Sequence, residues 1–241
     1  MIRGLVLFSV ILSLGQSALA QDGARYGRCL ATAEKNAAIA LADANAWAKS
    51  GGGMAAGHCA AVALIELKRY QEGATRLDAL ARASDTPGHM RGELFSQAGN
   101  AWLLAGNGAK AAQSFSAALA LSPGDADLYA DLARAQAMRR NWSEAELRLS
   151  TALQLSPRRT DLLVLRASAR RALKRYSEAR TDIEAALKLR PGDGEALVER
   201  GLLRRQLGDL GGARRDFQAA LKSGSGEAAA EARENLESLS P

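Results

Sequence analysis

The chain has 241 residues, enough for one or two domains, and 47% of them are hydrophobic although only 5% are aromatic. Its 32 Lys and Arg against 26 Asp and Glu leave a formal charge of +6, which favours solubility and a mild preference for acidic partners without pointing to nucleic acid. Alanine and leucine dominate, β-branched residues are few and proline falls almost only between periodic segments, which argues for helix and against strand.

Residues 1–20 have the pattern of a signal peptide. Arg3 precedes an apolar stretch from Gly4 to Leu14, and Ala18-Leu19-Ala20 supplies a small-x-small cleavage signature before Gln21. The alternative, an uncleaved anchor, would need roughly 20 apolar residues to span a bilayer. Gln21 is not a cysteine, so nothing suggests a lipid-modified N-terminus. No later segment is long and apolar enough to cross a membrane, and the mature chain is expected to be soluble and exported.

Residues 21–53 form an incomplete helical unit, in which Ala37 to Trp47 reads as a lone second helix ended by Gly51-Gly52-Gly53. Cys29 would precede that helix and Cys59 would lie in the next one. An even cysteine count in an oxidising compartment suits a disulfide, with two buried thiols or a metal as alternatives, although finger-like ligand spacing is missing. A degenerate helix pair, residues 54–91, carries Tyr70 and Gly73 and needs four extra residues around Ser84 to Gly88 to meet the next unit.

From there a 34-residue period sets in. Ala111, Ala145, Ala179 and Ala213 are in register, followed four residues on by Phe115, Leu149, Ile183 and Phe217. Ala118, Ala152, Ala186 and Ala220 come next, each followed by leucine. Pro123, Pro157 and Pro191 close the units, with Ser225 in the last copy, and Gly99, Ala133, Ala167 and Gly201 recur upstream. Asn141, Ser143 and Ser177 stand near second-helix starts, where short polar side chains cap free amides. Trp142 and Tyr176 open those helices and are expected in the core. The units span residues 92–125, 126–159, 160–193 and, degenerate, 194–226, before a polar capping helix in 227–241.

The period, the small residue of the first helix, the A-x3-F step and the terminal proline resemble the tetratricopeptide repeat, most clearly in Ala126–Arg159, where Tyr129, Leu132 and Ala133 take the W-x2-L-G positions. Gln136 departs from the usual Tyr, and Gly108 and Leu210 from the aromatic. The resemblance implies an all-α, right-handed superhelical solenoid of antiparallel helix pairs. Cys29, Trp47, His58-Cys59 and Tyr70 further resemble the N-terminal arrangement of periplasmic repeat proteins of Gram-negative bacteria, which implies a periplasmic location.

No catalytic, metal or cofactor residues are expected. His58, beside Cys59, and His89, in the long loop, read as packed or solvated, and no H-E-x-x-H, G-x-S-x-G or P-loop pattern occurs. The resemblance implies a concave surface lined by first helices, with Asn100, Arg134, Met138, Arg171 and Arg205 among the residues facing it. The three arginines would suit an acidic peptide or a C-terminal carboxylate; a solvated polar lining is the equal alternative. The carboxylate-clamp pattern is matched only by Asn100, since Ala130, Val164 and Val198 hold the other groove positions. The expected function is a scaffold or adaptor for a protein or peptide in the cell envelope, with no nucleic acid and no stable membrane insertion after signal cleavage. A rigid-spacer subunit is the alternative, ahead of an enzyme or carbohydrate-binding module.

Overall fold

A computed structural model of the chain describes residues 22–83, 86–223 and 226–239. The expected signal peptide, Ser84, Asp85 and Ser225 lie outside the described residues. The chain divides into two compact units, Met1–Leu121 and Ser122–Pro241. In both, every described element is a helix, and successive helices pack antiparallel in pairs.

The first unit contains α1 (residues 22–35), α2 (Ala37–Lys49), α3 (Gly53–Glu66), α4 (Tyr70–Arg82), α5 (Gly88–Leu104) and α6 (Gly108–Leu121). Cys29 precedes α2 as expected, but it lies in a helix of its own, so α2 is not alone: Leu30 and Leu41 pack on Cys29, Ala44, Cys59 and Ala60. Asn36 separates the two helices and caps α2 by accepting from the Ile39 amide at 3.2 Å. The second unit contains α7 (Ala126–Met138), α8 (Trp142–Leu155), α9 (Thr160–Ala172), α10 (Tyr176–Leu189), α11 (Gly194–Gln206), α12 (Leu210–Ser223) and α13 (Glu227–Ser238). One continuous core of alanine, leucine, valine, isoleucine and Phe217 runs through it.

Side-chain volume is matched across each pair. Gly99 on α5 and Gly201 on α11 face the rings of Phe115 and Phe217, and a Cβ on either glycine would lie 2.6 and 2.5 Å from ring carbon. Where the partner position carries Leu149 or Ile183, the small residue is Ala133 or Ala167. A glycine therefore stands opposite the aromatic and an alanine opposite the aliphatic, each filling the crossing to interior density.

The turns inside the five pairs from α3–α4 to α11–α12 share one backbone solution. Lys68, Gly106, Arg140, Lys174 and Gly208 are left-handed, at φ 59°, 71°, 59°, 61° and 88°. The next amide in each turn donates to the carbonyl five residues back: Arg69 to Leu64, Asn107 to Trp102, Asn141 to Gln136, Arg175 to Arg170 and Asp209 to Arg204. This left-handed motif satisfies orphan carbonyls at the end of the first helix. Asn141 makes no side-chain cap; its amide nitrogen donates instead to Gln136, and Arg175 rather than a small polar residue precedes α10. Side-chain caps form between pairs, where Asp125 accepts from the amides of Asp127 and Leu128, and Asp193 from that of Ala196. Trp142 and Tyr176 prove half-buried, because their rings lie at the first turn of a second helix, where packing is one-sided.

Candidate functional site

An open-sided cavity of about 540 Å³ lies in the first unit, across the first helices of three successive pairs. Asp22, Gly23 and Tyr26 of α1, Met54, Ala55 and His58 of α3, and His89, Met90, Glu93, Leu94 and Gln97 of α5 line it. Both histidines of the chain and two of its four methionines meet here. Its size is within the range of ligand pockets.

Four of its polar lining groups are joined in one chain. The Glu93 carboxylate can only accept, so the Gln97 amide nitrogen donates to it, at 2.9 Å. That leaves Gln97 Oε1 to accept from His58 Nε2–H at 2.7 Å, and His58 Nδ1 to accept from the Tyr26 hydroxyl at 2.8 Å. Burial pushes the Tyr26 phenol above its ordinary value. Among the described residues, no group of three or more His, Cys, Asp or Glu is placed to hold a metal ion.

Two features of the sequence build this cavity. The Cys29–Cys59 disulfide, with Cα atoms 6.2 Å apart, ties α1 to α3 next to Tyr26 and His58. It closes 30 residues, for which chain entropy gives about 3–4 kcal/mol. The four-residue irregularity ahead of the regular repeats makes α5 17 residues long, against 13 in α7, α9 and α11. The added turn carries His89 and Met90 to the cavity, so His89 belongs to a helix and not to a loop. Neither Tyr26 nor the added turn obeys the 34-residue period, which hid their juxtaposition with His58; the clustering of scarce residue types was the available signal.

The residues expected to line a concave groove lie outside this cavity. Asn100 is exposed on α5 in the first unit. In the second unit Met138 is exposed, and Arg134 bonds to Asp131 at 2.6 Å. Burial pushes the Asp131 carboxyl up, with the Arg134 guanidinium opposing the shift. Arg171 forks onto Glu199, which is 5% exposed, and Arg205 donates to Asn235 at 2.7 Å and to Ser238 at 3.2 Å. Arg171 and Arg205 are thus engaged by neighbouring helices, whereas Arg134 pairs within its own helix and stays partly exposed.

The second unit also holds a repeated arginine–aspartate cluster that the sequence reading passed over. Arg166 grips Asp182 with two bonds, at 2.9 and 2.7 Å, and Arg170 adds a third at 2.7 Å. One period later Arg200 and Arg204 do the same to Asp216. Both aspartates are 3% exposed. Arg170 also reaches Glu146, and so does Arg175. The recurrence of R-x3-R with an aspartate 16 residues after the first arginine, in two adjacent copies, is the mark by which they could have been found.

Comparisons with known proteins agree with this geometry. Two family models, each described as tetratricopeptide repeat, match residues 103–169 and 164–228. A tetratricopeptide repeat protein from Parabacteroides merdae has a similar structure, with a TM-score of 0.64 at 18% identity over 89% of this chain and 84% of that one. A thermophilic TPR protein of Thermus thermophilus gives a TM-score of 0.59 at 19% identity, covering 74% of this chain and 94% of that one. The crystal structure of MamA gives 0.57 at 18% identity over 68% and 93%. No curated protein matches the chain in sequence. At these identities the structural likeness speaks to fold alone, and with the two family matches, which together span residues 103–228, it makes this chain a tetratricopeptide repeat protein.

Proposed function

We propose that this protein is an exported scaffold of the bacterial cell envelope that holds a protein or peptide partner, and that the partner docks in the cavity of α1, α3 and α5. One observation carries the docking site: the cavity is open, has methionine, leucine and alanine among its walls, and is built from three helices that a disulfide and an elongated α5 hold together. Methionine walls adapt to side chains of different shape. Export is supported by the pattern of residues 1–20 and by the pairing of the chain's two cysteines.

The test is site-specific photocrosslinking in cells. A benzophenone amino acid at Met54 or Met90 should capture the same partner segment, identified by mass spectrometry, and the product should vanish when Ala55→Phe fills the cavity. Adducts confined to water or lipid would refute the docking site. Fractionation and N-terminal sequencing of the mature chain test export: a start at Gln21 in the periplasmic fraction is expected, and an intact Met1 in the cytosol would reject it.

A further inference from the structure

The cavity also carries a selection rule that rests on this docking site: we infer that it takes a long apolar side chain from a peptide segment with a lysine or arginine beside it. The apolar half follows from the walls and floor. Met54, Met90, Leu94 and Ala55 present hydrocarbon and thioether surface. Tyr26, His58 and Gln97 spend their hydrogen bonds on one another and on Glu93. A polar side chain entering here would lose its water and find those groups already paired, a cost that an apolar one does not meet.

The cationic half follows from the rim. Asp22 and Glu93 are both exposed and line the cavity, and among the described residues no lysine or arginine lines it. The chain as a whole carries an excess of base, +6, so this mouth runs against the general charge. Neighbouring arginines are turned elsewhere: Arg25 lies over the Trp47 ring at 4.8 Å, and Arg91 donates to the carbonyls of Thr86 and Ala83. Two carboxylates at the edge of an apolar cavity admit a cation adjoining the buried side chain and repel an acidic segment. The direction is opposite to the acidic partner suggested by Arg134, Arg171 and Arg205, which are engaged internally.

A random dodecapeptide phage library panned on the disulfide-intact protein tests the rule, with the Ala55→Phe variant as counter-selection and circular dichroism to verify its fold. Sequences enriched on the wild type should pair Leu, Met or Phe with an adjacent Lys or Arg. The most enriched peptide, made synthetically and fluorescein-labelled, should bind at least fivefold more weakly to an Asp22→Asn, Glu93→Gln double variant. Binding reduced by less than fivefold, or enrichment of cation-free or acidic sequences lost on Ala55→Phe, overturns the charge rule and leaves the docking site standing. No enrichment over Ala55→Phe, together with no protein adduct from Met54 or Met90, removes both.

Discussion

Replacing Gly201 by alanine tests the volume matching that holds the helix pairs together. A new Cβ would lie 2.5, 2.8 and 2.9 Å from Cε1, Cδ1 and Cζ of Phe217, where carbon contacts ordinarily settle at about 3.5–4.0 Å. Phe217 is fully buried, so its ring has nowhere to swing. Overpacking of this kind costs about 1–3 kcal/mol, against about 1 kcal/mol returned by alanine's better helix propensity. The net expectation for Gly201→Ala is a loss of up to about 2 kcal/mol, or a fall in Tm of up to about 8 °C for a chain of this size. Gly27 lies within α1 with nothing near its Cβ direction, so Gly27→Ala should instead stabilise by about 0.5–1 kcal/mol. Phe217→Leu alone leaves a cavity and destabilises, but combined with Gly201→Ala it recreates the pairing of Ala133 with Leu149. Urea unfolding followed by circular dichroism should therefore give a favourable coupling energy of about 1 kcal/mol or more in the double-mutant cycle. A stabilising Gly201→Ala, or strict additivity with Phe217→Leu, would refute the matching.

Three further outcomes can be checked. Mass spectrometry of trapped, unreduced protein should show two hydrogens missing, and Cys29→Ser with Cys59→Ser should cost about 3–4 kcal/mol; an unchanged urea midpoint would contradict this. Arg140 is left-handed where Gly106 and Gly208 hold equivalent turns, so Arg140→Gly should raise stability by up to about 1 kcal/mol in thermal or urea unfolding, and a loss would show that its side chain contributes more than closure of the turn. Burial pushes the Glu199 carboxyl above its ordinary value of 4.5 despite the Arg171 guanidinium. The folded state therefore binds the proton more tightly, and this contribution to stability is present below pH 4.5 and lost as pH rises through the elevated value. The stability of wild type relative to Glu199→Gln should decline across that rise; a difference that grew instead would mean that Arg171 outweighs the burial.

The repeat architecture was legible because packing forces it into the sequence. Ala145 and Leu149 must recur as Ala179 and Ile183, since each helix pair buries the same crossing against its neighbour. Asp125 and Asp193 were equally readable, as short acceptors just past a proline and a glycine. The turn after α7 was not: it rests on a left-handed backbone at Arg140 that satisfies carbonyls, not on the amide caps expected from the short polar residues at 141, 143 and 177, and nothing in a lone arginine advertises that conformation. Solvation was the wrong default for Asp182 and Asp216, because a carboxylate on a helix reads as surface until its arginine partners from the preceding helix are found. The cavity depended on Tyr26, in a segment without visible periodicity, and on the extra turn of α5, so departures from the repeat carried more functional information than the repeat itself.

The arginine–aspartate clusters have a consequence for how such an array can change. Arg166, Arg170 and Asp182 belong to one helix pair, as do Arg200, Arg204 and Asp216. Each pair thus neutralises its own buried aspartate before it meets a neighbour. Copying or excising such a segment leaves no stranded carboxylate of this kind inside the stack, where an unpaired one would be strongly destabilising. Glu146 and Glu199 differ, since their arginines come from the adjacent pair. The α9–α10 and α11–α12 pairs are therefore interchangeable cassettes in their aspartates and keyed to their order in their glutamates, which leaves the array free to lengthen while resisting a shuffle.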